Sequence, residues 1–121
     1  MNDFECIDCI DIFSRSPDVE VVFDFNGVRK RPIVDGYRPI HVMTDSCSIT
    51  SPYLTTGLHR YYGKIAVDPN ESILGTITFL TPEAYPKCLW IGKRIPIMDP
   101  PTVEIGVATV VRVINPLLLA N

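Results

Sequence analysis

The sequence predicts an all-β domain that closes as a six-stranded antiparallel barrel preceded by a short helix. Three observations carry that expectation. Apolar residues recur with period two along six separate runs. Eleven prolines and seven glycines punctuate the intervals between those runs. The length of 121 residues suits one domain, and six short strands in one domain avoid exposed edges by closing on themselves. With 46% apolar and 21% charged residues the chain is composed like a folded protein, not a disordered one.

Residues 3–13 read as the helix. Asn2 is a favourable N-cap, and Glu5 stands three residues later as in a capping box. Cys6, Ile7, Cys9, Ile10 and Phe13 share one face at about 100° per residue, with Glu5, Asp8 and Asp11 on the other. Ser14–Pro17 ends it. The first strand is Val19–Phe25, with Val19, Val21, Phe23 and Phe25 on one face. The second is Tyr37–Met43. Asp45–Thr56, rich in serine and threonine, reads as a loop. Leu58–Val67 is the third strand, turned at Asp68-Pro69-Asn70. Ile73–Leu80 is the fourth, closed by Thr81-Pro82. Pro86–Gly92 is a turn-rich link around Trp90. Arg94–Met98 is the fifth strand, ended by Asp99-Pro100-Pro101, and Val103–Ile114 is the last. The expected core includes Val21, Phe23, Ile77, Phe79, Val107 and Val111. The domain plan is a helix and linker over 1–17, a barrel over 18–115 and a tail over 116–121.

Charge is uneven. Residues 1–24 carry a net charge of −6 and the rest of the chain +3. No apolar run approaches the ~20 residues of a membrane helix. The acidic N-terminus does not read as a secretory signal. A cytoplasmic location is therefore expected, with Cys6, Cys9, Cys47 and Cys88 as free thiols. Cys6 and Cys9 have CxxC spacing, but a zinc site would want a second such pair. Packing on the apolar helix face is the preferred reading, and no metal is expected. His41 and His59 have no neighbouring ligands and read as surface or barrel-mouth histidines. There is no Walker loop, GxGxxG or GxSxG. No enzyme activity, cofactor or GTP binding is expected.

The densest chemistry is the stretch Gly27–Pro39, GVRKRPIVDGYRP, which holds four of the chain's eleven basic residues. Read structurally it is a solvated connection with Gly27 and Gly36 at tight turns. Read functionally, Arg29, Lys30, Arg31 and Arg38 are phosphate contacts. Arg-x-x-Pro-x-x-x-Gly-Tyr-Arg-Pro at Arg29–Pro39 resembles the signature of the C-terminal barrel, the third domain, of elongation factor Tu. Motif residues present are Gly27, Arg29, Pro32, Gly36, Tyr37, Arg38 and Pro39. Ile77–Pro82 and Gly92–Pro96 with Val103–Val113 extend the likeness, which covers about residues 18–115. The resemblance implies a six-stranded barrel of the translation elongation factor type.

The chain departs from that pattern where the family meets transfer RNA. Ile40 replaces the glutamine after the motif, Val28 replaces a glycine, and Asp99-Pro100-Pro101 replaces a Gly-Gly turn. Residues 44–57 are longer than the family's loop. Lys30 and Arg31 are additions. The resemblance thus implies a free-standing barrel that binds protein, as an immunity, decoy or translation-factor partner of a toxin or translation factor. The alternative is an RNA-binding module using Arg29, Lys30, Arg31, Arg38, His59, Arg60 and Lys64.

Overall fold

The computed structural model describes residues 15–43, 53–99 and 103–120. The expected helix, Cys6, Cys9 and Cys47 lie outside them. Eight strands follow in order: β1 (Val19–Phe25), β2 (Ile33–Val34), β3 (Ile40–Met43), β4 (Tyr53–Tyr61), β5 (Ala66–Val67), β6 (Ser72–Phe79), β7 (Arg94–Met98) and β8 (Glu104–Val113). Six of them close an antiparallel barrel in the order β1-β6-β4-β3-β7-β8, while β2 and β5 form a separate two-stranded ribbon. Among the described residues no helix is long and apolar enough to cross a membrane.

Period-two alternation produces β1 as expected. Val19, Val21, Phe23 and Phe25 are buried, and Glu20, Val22 and Asp24 alternate with them. β1 is the seam of the barrel. It pairs with β6 on one side (Val19↔Ile77 to Asp24↔Ser72) and with β8 on the other (Phe23↔Ala108, Phe25↔Gly106). The core joins these residues to Ile77, Phe79, Ile95, Ile97, Ile105, Ala108 and Val110.

Two core expectations fail on β8. Val107 is only half-buried and Val111 is 37% exposed. Two bulges explain it. Ile97 pairs with Gly106 but Met98 pairs with Glu104, so Ile105 is an extra residue. Val21 pairs with Val110 but Glu20 pairs with Arg112, so Val111 is another. Each extra residue moves the alternation to the opposite face. Ile105, Ala108 and Val110 therefore point inward in place of Val107 and Val111.

Strand boundaries differ elsewhere for local reasons. Thr55 and Thr56, read as loop, are strand residues paired with His41 and Ile40; β-branched threonine suits a strand as well as a turn. The expected third strand splits at Gly63, whose φ of +76° breaks the extended run between β4 and β5. Residues 116–120, read as a tail, dock on the barrel: Leu118 is fully buried, and Leu89 N–H donates to its carbonyl at 2.8 Å.

Close approach fixes Gly75. A Cβ there would stand 2.1 Å from the Arg60 carbonyl oxygen and 2.9 Å from Phe23 Cε2. Gly63 has nothing within 4 Å and only its positive φ to satisfy. Gly75→Ala is expected to destabilise the fold by about 2 kcal/mol or more, and Gly63→Ala by about 1 kcal/mol. Urea unfolding of the two variants checks this; equal losses contradict the register given for β4 and β6.

Candidate functional site

The barrel interior contains a polar chain that sequence reading placed at the surface. His41 on β3 and His59 on β4 are both fully buried, and their Nε2 atoms are 2.7 Å apart. His41 Nδ1 lies 3.3 Å from the Thr55 carbonyl oxygen, and His59 Nδ1 lies 2.8 Å from the Tyr61 hydroxyl. One proton arrangement satisfies every contact. The Thr55 carbonyl only accepts, so His41 Nδ1 carries a proton and donates. His41 Nε2 then accepts from His59 Nε2–H, and His59 Nδ1 accepts from Tyr61 O–H. Both imidazoles are neutral in this arrangement.

Strand geometry sets the pair. β3 and β4 are neighbours, and both histidines take inward positions. Gly57 leaves room, since a Cβ there would meet His41 Cε1 at 2.8 Å. Phe23 covers His59 at 4.3 Å between ring centroids, Phe79 meets His41 edge-on at 5.6 Å, and Tyr37 meets His59 edge-on at 5.8 Å. Burial in these rings pushes His41 down to about 4, opposed weakly by its Thr55 bond. His59 also falls well below the ordinary histidine value, through burial first and the neighbouring His41 second. Burial holds the Tyr61 phenol above its usual range, with Tyr37, Asp35 and Arg29 as the nearby titratable or charged groups. Sealed from solvent and fully partnered, this chain of groups is placed to specify strand register, not to meet a substrate.

The Arg29–Pro39 stretch also makes structural contacts. Arg29 Nη1 donates to the Tyr37 hydroxyl at 2.9 Å and to Asp99 Oδ2 at 2.8 Å, while Tyr37 O–H donates to the same carboxylate oxygen. The Arg29 guanidinium stands 4.6 Å from the Tyr37 ring centroid. Burial, then the Asp99 bond, raises the Tyr37 phenol. Asp99 thus anchors both Arg29 and Tyr37. Gly27 and Gly36 adopt φ of +83° and +93°, where other residues are strained. Gly36 N–H donates to the His59 carbonyl at 2.9 Å, which joins the motif to the histidine strand. Pro39 is buried and Pro32 exposed.

The other expected contact residues divide in three. His59 is no RNA contact, because it is buried and neutral. Arg60 pairs with Asp35 at 2.9 Å, and Asp35 also accepts Tyr61 N–H at 2.8 Å. Lys64 pairs with Glu71, whose carboxyl the lysine holds below its usual range. Arg38 is exposed but already engaged within the chain. Lys30 and Arg31 are exposed and have no ion pair among the described residues.

Two further buried charges escaped sequence reading. Asp18 lies at the edge of an open cleft of about 470 Å³ between residues 15–18 and 114–116. Lys93, 5% exposed, donates to the Cys88 carbonyl at 2.9 Å. Cys88 is itself buried and disulfide-bonded, which corrects the free-thiol expectation for that residue. Among the described residues no group of three histidine, cysteine or acidic side chains is placed to hold a metal. No protein-family model matches the chain, and comparison with curated proteins finds no match.

The histidine pair dictates a pH response. Histidine ionises near pH 6.5 in the unfolded chain, and both sites are depressed in the fold. The unfolded state therefore binds more protons between those values. Stability is fully present above about pH 6.5 and falls as pH drops towards about 4, with a limiting slope of about 1.4 kcal/mol per pH unit for each histidine. Urea midpoints measured between pH 7.5 and 4.5 should show this fall. The double variant His41→Leu/His59→Phe should flatten it. A wild-type midpoint constant over that range contradicts the neutral pair.

Proposed function

We propose that the chain is a non-enzymatic binding module whose partner is a protein. The observation that carries the reading is the fate of its cations. Of the basic groups expected to meet RNA, His59 is buried, and Arg29, Arg60 and Lys64 are neutralised by Asp99, Asp35 and Glu71. A phosphate interface works when unpaired cations displace the counterions condensed on the nucleic acid, and Lys30 and Arg31 are too few for tight RNA binding.

The finer version is a free-standing barrel resembling the third domain of elongation factor Tu, acting as an immunity, decoy or translation-factor partner. It is supported by the six-stranded antiparallel closure and by the motif glycines in positive φ beside the Arg29–Tyr37 contact. A cytoplasmic location belongs to that version, and the disulfide at Cys88 is the observation against it. The second reading, an RNA-binding module, keeps Lys30, Arg31 and the exposed Arg38 as its footing.

Titration of labelled transfer RNA at several salt concentrations, beside affinity capture from nuclease-treated lysate, separates the two. Protein capture that survives nuclease is expected, with no saturable RNA binding at roughly 0.15 M salt. Saturable RNA binding that weakens steeply with salt and disappears in Lys30→Glu/Arg31→Glu would overturn the protein reading. Capture of proteins unrelated to translation would remove the finer version alone.

A further inference from the structure

The seams between neighbouring barrel strands differ in length. Among the described residues, β1 pairs with β6 from Val19 to Asp24 and with β8 from Val19 to Phe25. Asp18 ties the end of that closure, donating its N–H to the Ile77 carbonyl and accepting from Ile114 N–H. β3 and β7 meet at two residue pairs, Ile40↔Met98 and His41↔Ile97. The ladder does not run on evenly past them, because the next residue of β7 is Pro96, which has no N–H. Every other neighbouring pair of barrel strands matches over at least four residues. Local opening therefore separates the fewest paired residues at the β3–β7 seam.

His41 stands in one of those two pairs, and its side chain belongs to the buried histidine chain. That chain has no place for another proton. The two lone pairs left on the imidazoles, at His41 Nε2 and His59 Nδ1, already accept hydrogen bonds. A proton on His59 Nδ1 deprives the Tyr61 hydroxyl of its acceptor. A proton on His41 Nε2 sets two N–H groups against each other across 2.7 Å, unless His59 moves its own proton to Nδ1 and again orphans Tyr61. No counter-ion offsets the charge. Tyr61 faces the pair from β4, and Tyr37 meets His59 edge-on with its hydroxyl held by Arg29 and Asp99. Phe23 of β1, Phe79 of β6 and Ile97 of β7 carry no charge. Among the described residues no ion pair reaches either imidazole. The closed barrel thus excludes an imidazolium that water would solvate readily.

We propose that the β3–β7 seam is an acid-released latch: in mild acid β3 parts from β7, the His41–His59 pair takes up protons from solvent, and the barrel stays closed at β1. The short seam lets β3 leave at low cost, and the histidine pair makes its leaving depend on pH. Global unfolding shares the same proton linkage, but the latch is a local step that precedes it. The open state presents strand edges on β3 and β7 whose backbone donors and acceptors the closed barrel keeps paired. The device stands independently of which partner the module binds.

Two NMR measurements on the full wild-type chain test the latch. Ring nitrogen spectra at pH 7.5 should show two neutral histidines in opposite tautomers, His41 with its proton on Nδ1 and His59 with its proton on Nε2. Two identical tautomers would overturn the proton arrangement and the latch with it. Amide hydrogen exchange is then followed from pH 7 to pH 5, above the carboxylate range, and corrected for intrinsic rates. The amides that cross the β3–β7 seam should open at least about tenfold more often than those of β1 at every pH. Their opening constant should rise by about tenfold per pH unit below about pH 6.5 for each histidine released. Opening constants equal to those of β1 would overturn the proposal, because the barrel then unfolds as one unit. So would opening that ignores pH, or histidines that ionise with no change in exchange at the seam. In His41→Leu/His59→Phe the seam should still open ahead of β1 but without pH dependence; retained pH dependence in that variant would place the sensor elsewhere and overturn the assignment. The wild-type measurements decide the outcome if the double variant does not fold.

Discussion

The buried carboxylate of Asp18 joins the three strands at which the barrel closes. Its Oδ1 accepts from Arg15 Nη1 at 2.7 Å and from Asn115 Nδ2 at 2.9 Å. Its Oδ2 accepts from Phe79 N–H at 2.7 Å and from Arg15 Nη2 at 3.0 Å. The backbone of the same residue continues the tie. Asp18 N–H donates to the Ile77 carbonyl, and its own carbonyl accepts from Ile114 and Asn115 N–H. One residue thereby fixes the start of β1 to the ends of β6 and β8. A buried carboxylate is tolerated only when its lone pairs are met, and here four donors meet them. Without this tie the polar groups at the seam would lose their partners together.

The same logic recurs through the interior. His41, His59 and Tyr61 link β3 to β4 by hydrogen bonds that work in only one register, and Arg29, Tyr37 and Asp99 fasten the connection after β1 to the end of β7. Such contacts add less net stability than apolar packing but penalise every misaligned alternative, because a slipped strand leaves a buried donor or acceptor empty. Side chains that elsewhere carry chemistry are thus committed to specifying this barrel. What remains for recognition is the outer surface.

Strand placement was legible where one residue type and one period act alone. Val19–Phe25 and Arg94–Met98 appear with the expected boundaries. β8 was legible as a strand but not in its inward face, because the bulges at Ile105 and Val111 arise from pairing with β7 and β1 and leave no mark in a period-two pattern. The turn role of Gly27 and Gly36 could be read locally, since positive φ is a property of one residue. The histidine pair could not, although His59 and Tyr61 share inward parity. Recognising it required knowing that β3 and β4 are neighbours, which brings together residues 18 positions apart. Asp18 escaped for the same reason, since Phe79 and Asn115 belong to distant segments, and Lys93 escaped because charged residues are normally assigned to the surface.

Amide hydrogen exchange combined with urea unfolding of Asp18→Ala tests the closure most directly. The account predicts a loss of about 3 kcal/mol or more, with protection falling first at the Phe79 amide, the backbone donor to that carboxylate. Arg15→Ala, which removes a partly exposed partner, should lose less. An Asp18→Ala protein within about 0.5 kcal/mol of wild type, with the Phe79 amide still protected, would contradict the claim that this carboxylate holds the barrel shut.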